Sequence, residues 1–339
     1  ARPTVLVSSE GRERRADGLP AESDVVLVVP TSGTGGEPKL VQFDRAAIET
    51  AVAASAQALE ATSQDRWLCC LPLAHIGGLL ILLRGVLLRA PVIVHPGFDT
   101  EAVAAVRDVA FTSVVPTMLV RLLDAGVDLS GFRAILVGGA NLSPDIRERA
   151  QAVGAHLVET YGLTESCGGV VYEGLPLPGV QVRIDAEGGI ELAGPMLMLG
   201  YRFDAEGTAR AFTPDGWLRP GDAGEIDPQG RLHVIGRVDD LINSGGENVW
   251  PQEVEAALRT HPKVGDVLVR GRPDPEWGQR VVAWVVAADP ADPPTLEELR
   301  AHAALRLARH KVPRELVPVQ VLLRTPAGKP RTAGLPDRE

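Results

Sequence analysis

Short apolar runs alternate with helix-like segments along the first half of the chain, and this alternation limits the fold more than any other feature. The apolar runs lie at 25–29, 67–71, 91–95, 112–115, 134–137 and 156–159. Helical patterns lie between them, for example at 45–60 and 143–153. Parallel strands need long crossover connections, which are usually helices. The pattern therefore predicts an α/β fold with mixed and parallel sheets flanked by helices.

The pattern changes toward the carboxyl end. From residue 179 short alternating runs are separated by glycines, which predicts antiparallel strands. After residue 236 a compact set follows, with helices predicted at 251–260 and 295–307 and strands at 264–270 and 280–287. We predict two domains, 1–236 and 237–339, the second a small α+β domain. The charged junction between them makes Asp239 the predicted hinge.

A loop rich in glycine and hydroxyl residues follows the first apolar run. It reads Thr-Ser-Gly-Thr-Gly-Gly-Glu-Pro-Lys and ends at Lys39. Glycine lets backbone N–H groups close on an anion, while hydroxyls and a lysine add donors and positive charge. The spacing matches neither a Walker A loop nor Gly-x-Gly-x-x-Gly. The loop is predicted to bind phosphate, and the alternative is a Gly/Ser/Thr-rich surface loop.

Charge and composition exclude several classes of partner. The net charge of −10 and the pI of about 5.3 argue against nucleic acid. The longest apolar stretch, 76–88, is interrupted by Arg84 and is shorter than the roughly 20 residues of a membrane-spanning helix. The 3 cysteines suggest neither a disulfide framework nor a metal site. We expect a cytoplasmic location, no integral membrane segment and a small-molecule substrate.

Four segments together resemble the acyl-adenylate-forming superfamily of acyl-CoA ligases, adenylation domains and luciferases. They are the phosphate loop, Tyr161-Gly162-Leu163-Thr164-Glu165, the pair Asp222 and Arg237, and Ser244-Gly245-Gly246-Glu247-Asn248, in the order in which the family has them. The resemblance runs from about residue 25 to residue 329. It implies a ligase that uses ATP, Mg²⁺ and coenzyme A to activate a small carboxylic acid through an acyl-AMP intermediate.

The resemblance implies a nucleotide site built from several motifs. Glu165 is the candidate Mg²⁺ ligand and Thr164 a phosphate contact, which suits a carboxylate beside a hydroxyl. The face of Tyr161 offers stacking for adenine, although the residue alone also fits a half-buried core tyrosine. The remaining implied contacts with ATP are Thr31, Ser32, Gly33, Thr34, Lys39, Gly138, Gly139, Ala140, Asp222 and Arg237.

The same resemblance implies roles for the second domain. Lys329 corresponds to the lysine that balances negative charge during adenylation. Gly245 and Gly246 leave room for the pantetheine arm of coenzyme A. The two half-reactions need different faces of the small domain, so a rotation about Asp239 is implied. Taken alone, Lys329 fits a solvated surface group and the two glycines a simple hairpin turn.

Two residues concern the acid that is activated. His75 lies where acyl-CoA ligases place an aromatic or imidazole group near the acyl pocket, and Gly162 is counted with the same pocket. Arg84 interrupts an apolar helix, and an unpaired buried guanidinium is costly. A second carboxylate on the substrate would pair with Arg84. The alternatives are a structural histidine, and an Arg84 that pairs with an acid of this protein or is exposed.

Within the superfamily the chain resembles the o-succinylbenzoate–CoA ligases of menaquinone synthesis, on segment 161–169 and on Val115-Pro116-Thr117. Only 30 residues precede Thr31, so the large domain is expected to be amino-terminally shortened, natively or by truncation. Three alternatives stay open: a ligase for another aromatic or fatty acid, an adenylation domain that loads a carrier protein, and a non-catalytic AMP-binding module. A homodimer is also left open.

Overall fold

The computed structural model describes residues 4–8, 11–15, 23–31 and 38–323. Contacts divide the chain into two compact units. The first is formed by Ala1–Arg183, Glu191–Pro220 and Ile226–Leu232, and the second by Ile184–Ile190, Gly221–Glu225 and His233–Glu339. The predicted domain boundary between residues 236 and 237 stays a prediction, because the contacts divide the chain at several points instead of one.

Strands and helices alternate through the first half, as the sequence predicts. The elements in chain order are β1 (Thr4–Ser8), β2 (Gly11–Arg15), β3 (Leu27–Thr31), β4 (Lys39–Phe43), α1 (Arg45–Ala58), β5 (Trp67–Cys69), α2 (Ile76–Leu88), β6 (Val92–Val94), α3 (Thr100–Ala105), β7 (Phe111–Val114), α4 (Pro116–Asp124), β8 (Ala134–Val137), α5 (Pro144–Ala152), β9 (Leu157–Leu163), β10 (Gly168–Tyr172) and β11 (Leu175–Pro176).

A seven-stranded sheet in the order β11-β10-β9-β8-β7-β5-β6 forms the centre of the first unit. The pairs from β9 to β6 are parallel, while β10 and β11 are antiparallel to their neighbours. Every residue of β7 and β8 is buried, as expected for parallel strands that are covered on both faces. The predicted α/β architecture with mixed and parallel sheets is confirmed.

The first apolar run of the sequence lies outside this sheet. The strand predicted at 25–29 is β3, which pairs antiparallel with β4 in a three-stranded sheet ordered β14-β4-β3, where β14 is Gly200–Tyr201. Within β3 only Val29 is buried, and Val26 just before the strand is 52% exposed, so the prediction that this run forms a parallel strand is wrong. Because β4 returns directly after the phosphate loop, no crossover helix can place β3 in a parallel sheet.

Helix α2 packs on the sheet through a nearly continuous apolar face. Ile76, Leu80 and Ile81 are buried, and Gly78 lies so close to the preceding turn that a Cβ there would stand 2.5 Å from the Pro72 carbonyl oxygen. This close packing fixes the positions of His75, at the start of α2, and Arg84, near its end. No helix in the described ranges is long and apolar enough to cross a bilayer.

Shorter elements follow in the middle of the chain and a second sheet at its carboxyl end. They are β12 (Gln181–Ile184), β13 (Ile190–Ala193), β14 (Gly200–Tyr201), α6 (Ala205–Ala211), β15 (Asp222–Ile226), β16 (Leu232–Arg237), β17 (Ile242–Ser244), β18 (Glu247–Val249), α7 (Pro251–Arg259), β19 (Val264–Asp274), β20 (Gly278–Ala287), α8 (Leu296–Ala304) and β21 (Glu315–Pro318). Short 3₁₀ turns occur at Thr164–Ser166, Val238–Asp240 and Arg309–Lys311.

The second unit has its own sheet and core. Its strand order is β18-β17-β20-β19, and β21 pairs parallel with β20. Helix α7 starts with Pro251 at its first position, and Thr295 caps α8 by accepting from the Glu298 N–H. Buried Val254 and Leu258 of α7 and Leu299 of α8 belong to one core cluster with the sheet. The predicted small α+β set is confirmed.

Candidate active site

The carboxyl ends of β5, β7, β8 and β9 lie at the same edge of the parallel sheet, which is where ligands bind in open α/β sheets. Gly138 and Gly139 follow β8 directly. A Cβ on Gly138 would stand 2.4 Å from Thr160 Oγ1, and Gly139 has a φ of +82°. The two glycines thus keep the backbone next to β9 free of side chains. This is the position at which the sequence predicts an adenine contact.

The Tyr161–Glu165 motif lies partly in a strand and partly in a short turn. Tyr161, Gly162 and Leu163 complete β9, and Thr164–Ser166 form a 3₁₀ turn. The Ser166 hydroxyl accepts from the Leu163 N–H at 3.0 Å and donates to the Gly168 carbonyl at 2.9 Å. A Cβ on Gly162 would stand 2.0 Å from that same carbonyl oxygen. The turn is therefore held closely against β10.

Two predicted site residues from distant segments meet at Tyr201. The Tyr201 hydroxyl donates to Glu165 Oε1 at 2.8 Å, and Lys39 Nζ lies 4.4 Å from the centre of the Tyr201 ring. Thr31 pairs with Lys39 in the β3–β4 hairpin, so both ends of the phosphate loop are fixed by strand pairing. The structure thus brings together the metal candidate and the lysine of the phosphate loop. Ser32, Gly33, Thr34 and Lys329 lie outside the described residues.

The donor set at Glu165 fits a magnesium ion that binds together with a nucleotide. The described ranges contain no cluster of three or more histidine, cysteine, aspartate or glutamate side chains suited to a metal ion. Mg²⁺ typically binds through one or two carboxylates and substrate phosphates while keeping several waters. A single half-buried carboxylate beside Thr164 and near Lys39 has this character.

His75 is an exposed residue at the amino end of α2, after β5. Chain connections run from β5 toward β6 on one side and from β7 toward β8 on the other. The sheet therefore reverses its winding between β5 and β7, and such a switch point forms a crevice at the carboxyl ends of the strands. His75 follows β5 and Thr117 follows β7, so both segments border this crevice.

Arg84 is buried, at 4% exposure, so the alternative of an exposed Arg84 is excluded. Its Nε donates to Ser55 Oγ at 3.2 Å and its Nη2 to the Tyr172 hydroxyl at 3.4 Å. The guanidinium carbon lies 5.1 Å from the centre of the Trp67 ring. Among the residues that the structure describes, no carboxylate forms an ion pair with Arg84. Its partners are hydroxyls and an aromatic face, which do not neutralise its charge.

Arg84 acts electrostatically on the segment that follows the Thr164–Ser166 turn. Burial raises the pKa of the Cys167 thiol to about 12, and the positive charge of Arg84 opposes this rise. Gly168 in turn lies against Leu80, one helical turn before Arg84. Arg84 thus lies close enough to Cys167, which directly follows the turn that carries Glu165, for its charge to act on that thiol.

Three predicted residues come together in the second unit. Arg237 Nη1 lies 3.1 Å from Asp222 Oδ1, and Arg237 Nη2 lies 4.0 Å from Asp239 Oδ2. The Asp222 side chain is 16% exposed, whereas that of Asp239 is 85% exposed. Gly221 adopts a φ of +77°, and a Cβ there would stand 2.8 Å from Arg237 Nη2. Asp222 and Arg237 thus form an ion pair, and Gly221 leaves room for the guanidinium.

Gly245 and Gly246 form the two-residue turn between β17 and β18. Their φ angles are +67° and +84°, which type I′ turns require at both central positions. A Cβ on Gly245 would stand 2.7 Å from the Trp277 ring, whereas a Cβ on Gly246 would meet nothing within 4 Å. Gly245 therefore leaves only a narrow space beside the indole.

Comparisons with known proteins decide the family. The family described as AMP-binding enzyme matches residues 4–202, and the AMP-binding enzyme C-terminal domain matches residues 253–329. The chain belongs to the AMP-binding enzyme family. The superfamily resemblance predicted from its motifs is thereby confirmed, and this AMP-binding enzyme carries both parts in the expected order.

This AMP-binding enzyme is similar in sequence to curated relatives and in structure to solved enzymes of different names. The probable 2-succinylbenzoate–CoA ligase of Mycobacterium tuberculosis H37Rv is 40% identical over 93% of this chain and 84% of the relative. The o-succinylbenzoate CoA synthetase MenE of Bacillus subtilis, solved with the acyl-adenylate OSB-AMP, is 33% identical with a TM-score of 0.84, covering 92% of this chain and 69% of that one. ATP-bound MatB of Rhodopseudomonas palustris is 28% identical and also has a TM-score of 0.84, covering 92% and 68%.

Sequence reasoning missed Tyr201. The residue lies in a short Gly-Tyr segment that carries no phosphate or metal signal of its own. Its contacts with Lys39 and Glu165 arise only when β14 pairs with β4.

Proposed function

We propose that this AMP-binding enzyme is an o-succinylbenzoate–CoA ligase that forms an acyl-AMP and then a thioester. One observation supports the reaction type most directly: Lys39 and Glu165, from segments far apart in sequence, both contact Tyr201 in edge strand β14 of the three-stranded sheet. A lysine ammonium close to a carboxylate that can hold Mg²⁺ is suited to binding a nucleoside triphosphate. The choice of acid is supported by relatives of that name and by the buried Arg84.

In the first half-reaction a carboxylate oxygen of the acid bonds to the α-phosphorus of ATP, and the bond from that phosphorus to the bridging oxygen breaks, releasing pyrophosphate. Lys39 and Thr31 would contact the phosphates, and Gly138, Gly139, Ala140 and Tyr161 the base. Mg²⁺, held by Glu165, would neutralise phosphate charge when bound. Asp222 and Arg237 would bind the ribose, and Lys329 would balance the charge that develops during attack.

In the second half-reaction the sulfur of coenzyme A bonds to the acyl carbon, the bond to AMP breaks, and the thiol proton passes to solvent. The proposed path of the pantetheine arm runs along Gly245 and Gly246. Lys329 and this turn belong to the same unit but serve different half-reactions. Rotation about the exposed Asp239 would bring Lys329 to the reacting groups in the first half-reaction and the Gly245-Gly246 turn in the second.

Alanine at Gly245 is expected to slow thioester formation while acyl-AMP formation continues. A Cβ would stand 2.7 Å from the Trp277 ring, and the φ of +67° is unfavourable for any other residue. Trapping acyl-AMP with and without coenzyme A measures the two steps separately. Gly230→Ala is the matched control, because Gly230 has a φ of +78° with nothing within 4 Å of a Cβ. Equal slowing of both steps in G245A would contradict the role in thioester formation.

Arg84 supports the choice of a diacid. The cost of burying a guanidinium falls when a carboxylate pairs with it, and hydroxyls supply no charge. Ser55 and Tyr172 occupy two of its nitrogens from the side of α1 and β10. The benzoate carboxylate of o-succinylbenzoate would supply the missing anion, while the succinyl carboxylate is activated. His75 and Gly162 would border the acyl group.

Glutamine at Arg84 is expected to raise the KM for o-succinylbenzoate roughly tenfold to a hundredfold, the range for losing a hydrogen bond to a charged group. The KM for an analogue without the benzoate carboxylate should not rise. Arg133→Gln is the matched control, because Arg133 also lies over an aromatic ring but pairs with Asp65 at 2.9 Å. An equal rise for both acids would show that Arg84 is structural.

Pyrophosphate release from ATP and Mg²⁺ over a panel of acids, with and without coenzyme A, tests the proposed function. We expect selective turnover of o-succinylbenzoate. Turnover of monoacids alone would retain the chemistry and reject this acid, and transfer to a carrier protein but not to coenzyme A would indicate a loading domain. AMP binding without any pyrophosphate release would indicate a non-catalytic module. The cytoplasmic location and the homodimer stay predictions.

A further inference from the structure

One short segment, 198–202, is hydrogen-bonded both to the turn that carries Glu165 and to the strand that starts at Lys39. The Met198 N–H donates to the Glu165 carbonyl at 2.9 Å. On the other side, the Leu199 N–H donates to the Gln42 carbonyl at 2.9 Å and the Arg202 N–H to the Leu40 carbonyl at 2.7 Å. The backbone of this segment therefore joins two motifs that are far apart in the sequence.

The Tyr201 side chain also contacts both motifs. Its hydroxyl donates to Glu165 Oε1 at 2.8 Å, and its ring lies 4.4 Å from Lys39 Nζ. The Tyr201 N–H donates to Thr208 Oγ1 at 2.8 Å, and Thr208 donates onward to the Asp204 carbonyl at 2.8 Å. Helix α6 thus holds the backbone from which the phenol extends, so the ring has a fixed base.

We propose that Tyr201 is a positioning residue that sets the orientation of the Glu165 carboxylate and the Lys39 ammonium for a metal–nucleotide complex. This inference rests on the proposed function, since it assumes that Glu165 meets Mg²⁺. The hydroxyl occupies one carboxylate oxygen and leaves the other, Oε2, for the metal. Removing a hydrogen-bond partner of a metal-binding carboxylate commonly lowers the metal affinity by roughly tenfold to a hundredfold.

The aromatic ring of Tyr201 acts on Lys39 and not on Glu165. A lysine side chain has many rotamers, and fixing it in one costs free energy when ATP binds. A cation over an aromatic face is attracted to it, so the Tyr201 ring limits the positions of Lys39 before the phosphates arrive. Hydroxyl and ring therefore act on different charges, and two substitutions separate them.

Phenylalanine at Tyr201 removes the hydroxyl and keeps the ring, whereas leucine removes both. Mn²⁺ is used in place of Mg²⁺, and the concentration of free Mn²⁺ in the presence of ATP is measured by electron paramagnetic resonance. We expect Y201F to weaken nucleotide-dependent Mn²⁺ binding roughly tenfold or more. Metal-free AMP binding by Y201F should match the wild type. Y201L should show the same metal defect and in addition weaker metal-free binding of ATP.

A double-mutant cycle tests whether the hydroxyl acts through Glu165. In an E165Q background, adding Y201F should cause no further loss of Mn²⁺ affinity, because the carboxylate it orients is gone. Tyr172→Phe is the matched control for the metal readout alone, since that hydroxyl bonds to Ser55 at 2.9 Å and to Arg84 at 3.4 Å and not to Glu165. Y172F should bind Mn²⁺ as the wild type does.

Different outcomes would overturn the role of Tyr201 and the proposed function. Wild-type Mn²⁺ affinity in Y201F, in a protein that releases pyrophosphate normally, would overturn the role of Tyr201 alone. An additive loss in the double mutant would show that the hydroxyl acts independently of Glu165 and would also overturn it. A wild type with neither nucleotide-dependent Mn²⁺ binding nor pyrophosphate release would overturn the proposed function and, with it, this inference.

Discussion

Alanine at Lys329 is expected to slow acyl-AMP formation by on the order of 10²–10³ while leaving the reaction of preformed acyl-AMP with coenzyme A nearly unchanged. Negative charge builds up where the carboxylate meets the α-phosphate, and an ammonium placed there stabilises the transition state more than the ground state. In the proposed mechanism the second step, in which the thioester forms, would not use Lys329. Supplying synthetic acyl-AMP measures that step alone.

A matched control separates charge in general from charge at this position. Lys263 also belongs to the second unit, but its ammonium is paired with Asp292 at 2.8 Å and Glu298 at 2.9 Å. Lys263→Ala should leave both half-reactions close to the wild type. An unchanged rate of acyl-AMP formation in K329A would contradict the proposed mechanism directly, and equal slowing of both steps would assign Lys329 a structural role instead.

Glutamine at Glu165 is expected to lower ATP–pyrophosphate exchange by on the order of 10²–10³. The amide has almost the same shape as the carboxylate and can still accept from the Tyr201 hydroxyl, so the turn should keep its structure. What is lost is the negative charge toward the metal. The Mg²⁺ concentration that gives half-maximal exchange should rise as the rate falls, whereas metal-free AMP binding should be retained.

Glu159 on the same strand provides the control for Glu165. It is half-buried and pairs with Arg147 at 2.8 Å, and Arg147 also pairs with Glu173 at 3.2 Å. Glu159→Gln therefore leaves the arginine with one acidic partner and should cost only some stability, without a change in Mg²⁺ dependence. If E159Q and E165Q lose exchange equally, the effect of E165Q is loss of folding and the metal assignment is wrong.

The parallel sheet could be predicted because apolar runs and helical patterns alternate at the spacing that crossover connections require. Strands β7 and β8 are confirmed and fully buried. The first apolar run was assigned wrongly for a local reason: β4 follows the phosphate loop at once, so β3 pairs antiparallel with it and remains partly exposed. The length of β9 was also underestimated, because Tyr161 to Leu163 are held in the strand by pairing with β10.

Sequence by itself determined the family, the order of the motifs and the residue types available for phosphate, metal and base. These depend on local composition, such as glycines that give a backbone room or a carboxylate beside a hydroxyl. Only the tertiary structure decided that Tyr201 contacts both Lys39 and Glu165, and that Arg84 is buried among hydroxyls. Those contacts join residues from separate strands and helices, and their distances are set by how the sheets pair and pack, which no local pattern encodes.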